Sequence, residues 1–289
     1  MSALTSTSSD VAHRTIVERR LATMRVAIGV LLLVRTTPVL HALGVRFASD
    51  SSPLVGWPHE GWTTKLVSVP ASVLAFAAVA RTVAAIGFLL GVSVGPCGVA
   101  VALLGWLGMA SDTLGWINSL HLLYVTTLLL ATTGCDRALT ISRPPPWSDD
   151  PTSGLWLMRA LLLSLYAWTG IAKLNRAWLG GDTLELFIAD GSLRGPLFQW
   201  LHAQPHARVA FAWTVMVFEL SIGPALLARR TRRIAIAAAI TFHALVELTV
   251  RPDVFGWICV VLAFGFVDEA PRAPVASATP PASDVMARL

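Results

Sequence analysis

The chain has 289 residues, of which 55% are hydrophobic and only 13% charged, and its mean hydropathy is +0.65. Soluble domains carry about a quarter charged residues, so this composition excludes an ordinary soluble domain and marks an integral membrane protein. The formal charge of +5 does not mark a nucleic-acid surface, because the basic residues are spread among helix ends and short connections rather than gathered in one patch. Three cysteines (Cys97, Cys135 and Cys259) form no CxxC and read as packing residues.

Apolar runs of membrane-crossing length predict an all-α polytopic bundle of about eight transmembrane helices. In chain order they fall at 24–43, 67–91, 97–110, 116–133, 155–173, 208–228, 233–250 and 254–267. Residues 1–20 precede the first run and carry His13, Arg14, Arg19 and Arg20. That run is too long for a signal-peptide core and meets no clean cleavage site, so it is expected to be retained. The helical domain then covers 21–267, and the Ala/Pro-rich tail 268–289 is expected to be disordered.

An even number of crossings puts both termini on one side of the bilayer. The RRTRR connection, Arg229 to Arg233, is hard to translocate and predicts that this side is cytoplasmic, in a cell or plasma membrane. Two long segments then lie outside. Residues 44–66 read as an interfacial loop rich in Pro, Gly and Trp. Residues 174–207 are too interrupted by Asp190, Gly191 and Arg194 to span, and are expected to lie along the outer surface. The inward segment 142–154 reads as a proline-rich connector.

Polar residues inside the runs need a partner or a role, because hydrocarbon excludes them. Among them are Arg35, Arg81, His121, Glu219, His243 and Glu247. At 1.5 Å per residue, His121, His243 and Arg35 lie about 8, 10 and 12 Å in from the outer ends of their helices, so they gather in the outer half of the membrane. His243 and Glu247 stand four apart and share a helix face, which predicts a coupled pair able to orient or relay a proton, or simply to satisfy Arg35 or Arg81. Asn118 and His121 are a second polar pair, and Glu219 is expected to pair with an arginine. Two histidines on different helices with scattered carboxylates do not make a metal-ligand motif.

The stretch YAWTGIAKLNRAWLGG, Tyr166 to Gly181, sets a lysine where an apolar helix should simply end. Lys173 can snorkel outward. Alternatively it turns into the bundle along a stripe of Tyr166, Gly170 and Lys173, where desolvation favours the neutral amine and makes it a base. Asn175, Trp178 and Gly180-Gly181 read as a fixed turn.

This stretch resembles the Y-x-x-x-G-x-x-K-L-x-x-x-W-x-x-G signature of the vitamin K-dependent gamma-carboxylase and of the bacterial horizontally transferred transmembrane (HTTM) domain proteins related to it. NSLHLLYVTTLLLATTGCDRALTIS resembles that family's asparagine-histidine helix, and FHALVELTVRPDVFGW its late histidine helix. Leu120 stands where the carboxylase has an asparagine, with Asn118 two positions earlier. The resemblance implies a reduced quinone (a vitamin K hydroquinone) as cofactor and Lys173 as the base that deprotonates it, with His121 and His243 at the same site. It does not extend to a large extramembrane domain that binds propeptide-bearing substrates, so protein glutamyl carboxylation is not expected.

Two functions follow. The first is a quinol-linked, carboxylase-like membrane enzyme with Lys173, His121 and His243 as catalytic groups and Arg35, Asn118 and Glu247 around the substrate. The second is a transporter or assembly partner in which the same residues line a passage or fix packing. The partners expected are the bilayer and a lipid-soluble small molecule.

Overall fold

The computed structural model describes residues 8–48, 71–110, 118–142, 151–249 and 253–267. The segments 49–70, 143–150 and 268–289, which hold most of the outer loop, the proline-rich connector and the tail, lie outside the described residues. The elements are α1 (Ser8–Ala48), α2 (Ala71–Leu90), α3 (Val94–Ala110), α4 (Asn118–Ala131), α5 (Pro151–Ala172), α6 (Arg176–Leu179), α7 (Asp182–Ala189), α8 (Pro196–Ala203), α9 (Pro205–Leu227), α10 (Arg232–Thr249) and α11 (Phe255–Ala263), which runs into a 3-10 turn (Phe264–Phe266). There is no strand among the described residues.

Among the described residues three helices are long and apolar enough to cross a bilayer: Ser72–Leu90 in α2, and the whole of α5 and α9. They coincide with the expected spans at 67–91, 155–173 and 208–228. The helices α3, α4 and α11 with its turn are apolar but shorter. The last of these reaches only about 20 Å against roughly 30 Å of hydrocarbon, so helix length alone does not carry the count of eight.

α1 starts at Ser8, well before its apolar run, and its length is roughly 60 Å at 1.5 Å per residue. Val17, Leu21, Met24, Ile28 and Leu32 form its buried stripe, spaced by three and four as a single packed face requires. That face lies against α2, α4, α5 and α11. α2, α3 and α4 pack in sequence on one side, and α5, α9, α10 and α11 on the other. α11 fills the middle, touching α1, α4, α5 and α10, with Ile258, Cys259, Val261, Leu262 and Ala263 buried. Large apolar side chains such as Phe76, Trp168, Ile234 and Leu248 point outward and are more than two-thirds exposed, as a lipid-facing surface would have them.

Residues 174–207 fold as α6, α7 and α8 against α9. Leu184, Leu193, Phe198, Leu201 and Ala212 form a second, smaller core there. Arg208 ties the segment down, donating to Glu185 Oε2 at 2.6 Å and to the His202 carbonyl at 3.3 Å.

Candidate functional site

The geometry around Lys173 follows from the residues of its own stretch. α5 closes with a tightened turn, the Lys173 amide donating to the Gly170 carbonyl at 3.1 Å. Asn175 then locks the reversal. Its amide donates to the Ala172 carbonyl at 2.7 Å, and its side-chain oxygen accepts from the Trp178 amide at 2.9 Å, which caps α6. Gly181 takes the left-handed conformation (φ 83°) that starts α7. Trp178 donates from Nε1 to the Ala212 carbonyl at 3.0 Å, and its ring lies 4.9 Å from Lys173 Nζ. The ammonium thus gains a cation–π face on one side.

On the other side stands an acid. Lys173 Nζ donates to Glu219 Oε2 at 2.6 Å and to the Thr169 carbonyl at 3.3 Å. The two side chains are 16% and 9% exposed, so Lys173 does not snorkel. Gly170 makes the meeting possible: a Cβ there would lie 2.6 Å from Leu220 Cδ2 and 3.2 Å from its backbone nitrogen, so only glycine lets α5 approach α9 this closely. The expected arginine partner for Glu219 is therefore replaced by Lys173. The reason is position, since Arg35, which pairs with Asp253 at 2.7 Å, and Arg81, which donates to the Tyr124 hydroxyl at 2.8 Å, lie on the α1–α4 side.

His243 is buried one helix turn from Glu247, and their shared face does not join them. His243 Nε2 is hydrogen-bonded to the Tyr166 hydroxyl at 2.8 Å. Its Nδ1 has no partner among the described residues. The ring sits among Tyr166, Phe242 and Phe255, with centroids 5.8, 5.2 and 6.0 Å away. Glu247 instead accepts from the Gly256 amide at 2.7 Å. The first amides of a helix lack internal partners, so the start of α11 draws the carboxylate to itself. A Cβ on Gly256 would sit 2.7 Å from that carboxylate oxygen and 3.1 Å from the His243 carbonyl, so the contact depends on glycine as well.

The other expected residues lie on the α1–α4 side. His121 Nδ1 accepts from Trp106 Nε1 at 3.1 Å, joining α4 to α3. Asn118 is exposed at the first residue of α4. Arg35, Arg81 and Tyr124 line a small cavity between α1, α2 and α4, together with Leu32, Ala85 and Leu120. It has room for about one water molecule, and neither Lys173 nor either histidine lines it. The structure thus brings Lys173, Glu219, Tyr166 and His243 together where α5, α9 and α10 meet, and places Arg35 with Arg81 and Tyr124.

Four roles escaped the sequence. Tyr166, Glu219 and Tyr124 were visible as residues, but their partners come from other helices. Arg25 carried the same signal as Arg35, a charge inside the first apolar run. It is fully buried and donates to the carbonyls of Cys135, at 2.9 Å, and Leu139, closing the turn after α4. Burial beside that turn pushes the Cys135 thiol up to about 12.

An all-helical protein of membrane-helix character, with a lysine–carboxylate pair and a tyrosine–histidine pair buried between its helices, is the class that fold and site define. A family model described as the HTTM domain matches residues 13–270, and the chain belongs to that family. No curated protein and no solved structure matches it.

Proposed function

We propose that the chain is a membrane enzyme that binds a lipid-soluble reduced aromatic, a quinol, in the outer half of an eight-crossing bundle with both termini in the cytoplasm. The Lys173–Glu219 pair acts as its base. The observation that carries the reading is the 2.6 Å contact between Lys173, at the end of α5, and Glu219 of α9. A lysine placed only to anchor a helix end would face the headgroups and would need no buried acid.

The residues beside the pair suit such a ligand. His243 offers a buried, unpartnered ring nitrogen to a phenolic hydroxyl, and Phe218, Phe242 and Phe255 offer apolar ring faces around it. A bound quinol would supply an acidic phenol that becomes a reductant once deprotonated. Lys173 accepts that proton when its own has moved to Glu219, so the carboxylate keeps the amine's charge from accumulating in a water-poor site. Tyr166 holds the His243 ring in orientation through Nε2 and leaves Nδ1 for the ligand. The positions of His121 beside Trp106 and of Asn118 at an exposed helix start give them no direct part in this step.

Lipid extraction and mass spectrometry of the purified protein test the ligand class. A quinone retained by the wild type and lost in His243→Leu is the expected result. Lys173→Met should keep the fold at reduced stability and keep the quinone while abolishing oxidation of added quinol by dissolved oxygen, and Lys173→Arg should fail equally, because a guanidinium does not act as a base near neutral pH. Full quinol oxidation by Lys173→Arg, or no quinone in any preparation, overturns the reading.

A further inference from the structure

Arg81 is the tenth residue of the membrane-length stretch Ser72–Leu90. At 1.5 Å per residue it lies roughly 15 Å from either end of α2 along the helix axis, and it is only 7% exposed. Its one hydrogen-bond partner among the described residues is the neutral Tyr124 hydroxyl, 2.8 Å from Nη1. No carboxylate pairs with it among those residues. Arg35 faces the same cavity, but its charge is already met by Asp253. Among the described residues, two guanidiniums and one carboxylate leave the cluster with a single uncompensated positive charge, inside a bundle where an isolated charge is strongly disfavoured.

We propose that the cavity between α1, α2 and α4 is a binding site for one monovalent anion, held by Arg81 with Arg35 behind it. The size and charge of the cavity set the ligand class. Space for about one water admits a halide or a single oxygen of a larger oxyanion, and one negative charge neutralises the cluster. The apolar walls from Leu32, Ala85 and Leu120 exclude competing water, which strengthens the attraction. Tyr124 fixes one edge of the guanidinium and leaves the remaining N–H groups to the anion. The anion is either a free halide or oxyanion from solution or the phosphate of an anionic lipid, since each presents a single negatively charged atom to the site.

The site stands apart from the quinol reading, and the test needs neither turnover nor quinone. Full-length protein is placed in phosphatidylcholine nanodiscs, and chloride is titrated in against gluconate at constant ionic strength while thermal unfolding is followed. A second series raises the phosphatidylglycerol fraction at low chloride. The wild type is expected to gain about 3 °C in Tm per tenfold rise in ligand beyond its Kd, in one series or the other. A response in the first series identifies a free anion, and one in the second a lipid phosphate. Arg81→Gln should abolish the response. Arg81→Lys should keep it with a midpoint at higher concentration, because an ammonium lacks the planar fork. Flat behaviour of the wild type in both series overturns the site, as does an unchanged response in Arg81→Gln or an unchanged midpoint in Arg81→Lys.

Discussion

Lys173 and Arg81 are both basic groups held within an apolar bundle, yet among the described residues only one has an acid beside it. Glu219 meets Lys173 at 2.6 Å across the α5–α9 contact, so that charge is balanced by the fold itself. Arg81 meets a phenol. The difference separates two uses of buried charge. A pair closed within the chain resists mutation of either partner, because the survivor is left buried and alone, whereas a charge left open by the chain is free to take its counter-ion from outside.

The largest effect should come from splitting the closed pair. Glu219→Gln should lower stability by about 3 kcal/mol, near the low end for a buried pair because Lys173 keeps some exposure. Adding Lys173→Met should recover most of that loss, and a double-mutant cycle of thermal unfolding measures the coupling. Arg81→Gln in anion-free phosphatidylcholine should cost little or even stabilise, since it removes a charge that no acid among the described residues balances. Equal losses in Glu219→Gln and Arg81→Gln would erase the contrast.

Next in size is the contact that brings the pair together. Gly170→Ala puts a Cβ 2.6 Å from Leu220 Cδ2 and 3.2 Å from its backbone nitrogen, so α5 must move away from α9. The expected cost is about 2 kcal/mol, the usual range for overpacking. Because the shift also opens the Lys173–Glu219 contact, the coupling measured in the Gly170→Ala background should shrink. A coupling that stays at its wild-type value would detach the glycine from the pair.

Much of this arrangement was legible in sequence. Hydropathy located every long helix, and the spacing of Tyr166, Gly170 and Lys173 placed them on one stripe that meets neighbouring helices. The turn at Asn175, Trp178 and Gly181 was readable because its bonds are local. What failed was pairing across helices. His243 and Glu247 share a face by spacing, but spacing does not say which neighbour reaches each side chain first. Tyr166 took one and the start of α11 took the other. Glu219 likewise gave no sign that its cation would be a lysine, because that depends on how closely Gly170 lets two helices approach.

A smaller effect tests the tyrosine–histidine pair. Tyr166→Phe removes the bond to His243 Nε2 and leaves both ring nitrogens without a partner among the described residues. The expected loss is about 1 kcal/mol, seen as a lower thermal midpoint that His243→Phe in the same background no longer deepens. Additive losses would mean that the two side chains act independently.

The smallest effect concerns Asp253, the acid that answers Arg35 from the connection between α10 and α11. Burial raises its pKa above the ordinary aspartate value, and Arg35 pulls the other way without overcoming it. The 2.7 Å contact is an ion pair without the alignment of a directed hydrogen bond, which limits what the arginine gives back. The folded state therefore binds this proton more tightly than the unfolded state does. Its contribution is fully present below the unfolded value of about 3.9 and is lost as pH rises through the folded value. Asp253→Asn carries no titrating group there, so the stability of the wild type relative to Asp253→Asn should fall as pH rises across that window. If relative stability rises instead, Arg35 holds the carboxylate more firmly than burial opposes it. The Arg35–Asp253 pair would then be closed in the same sense as Lys173 and Glu219, leaving Arg81 as the open charge of the cavity.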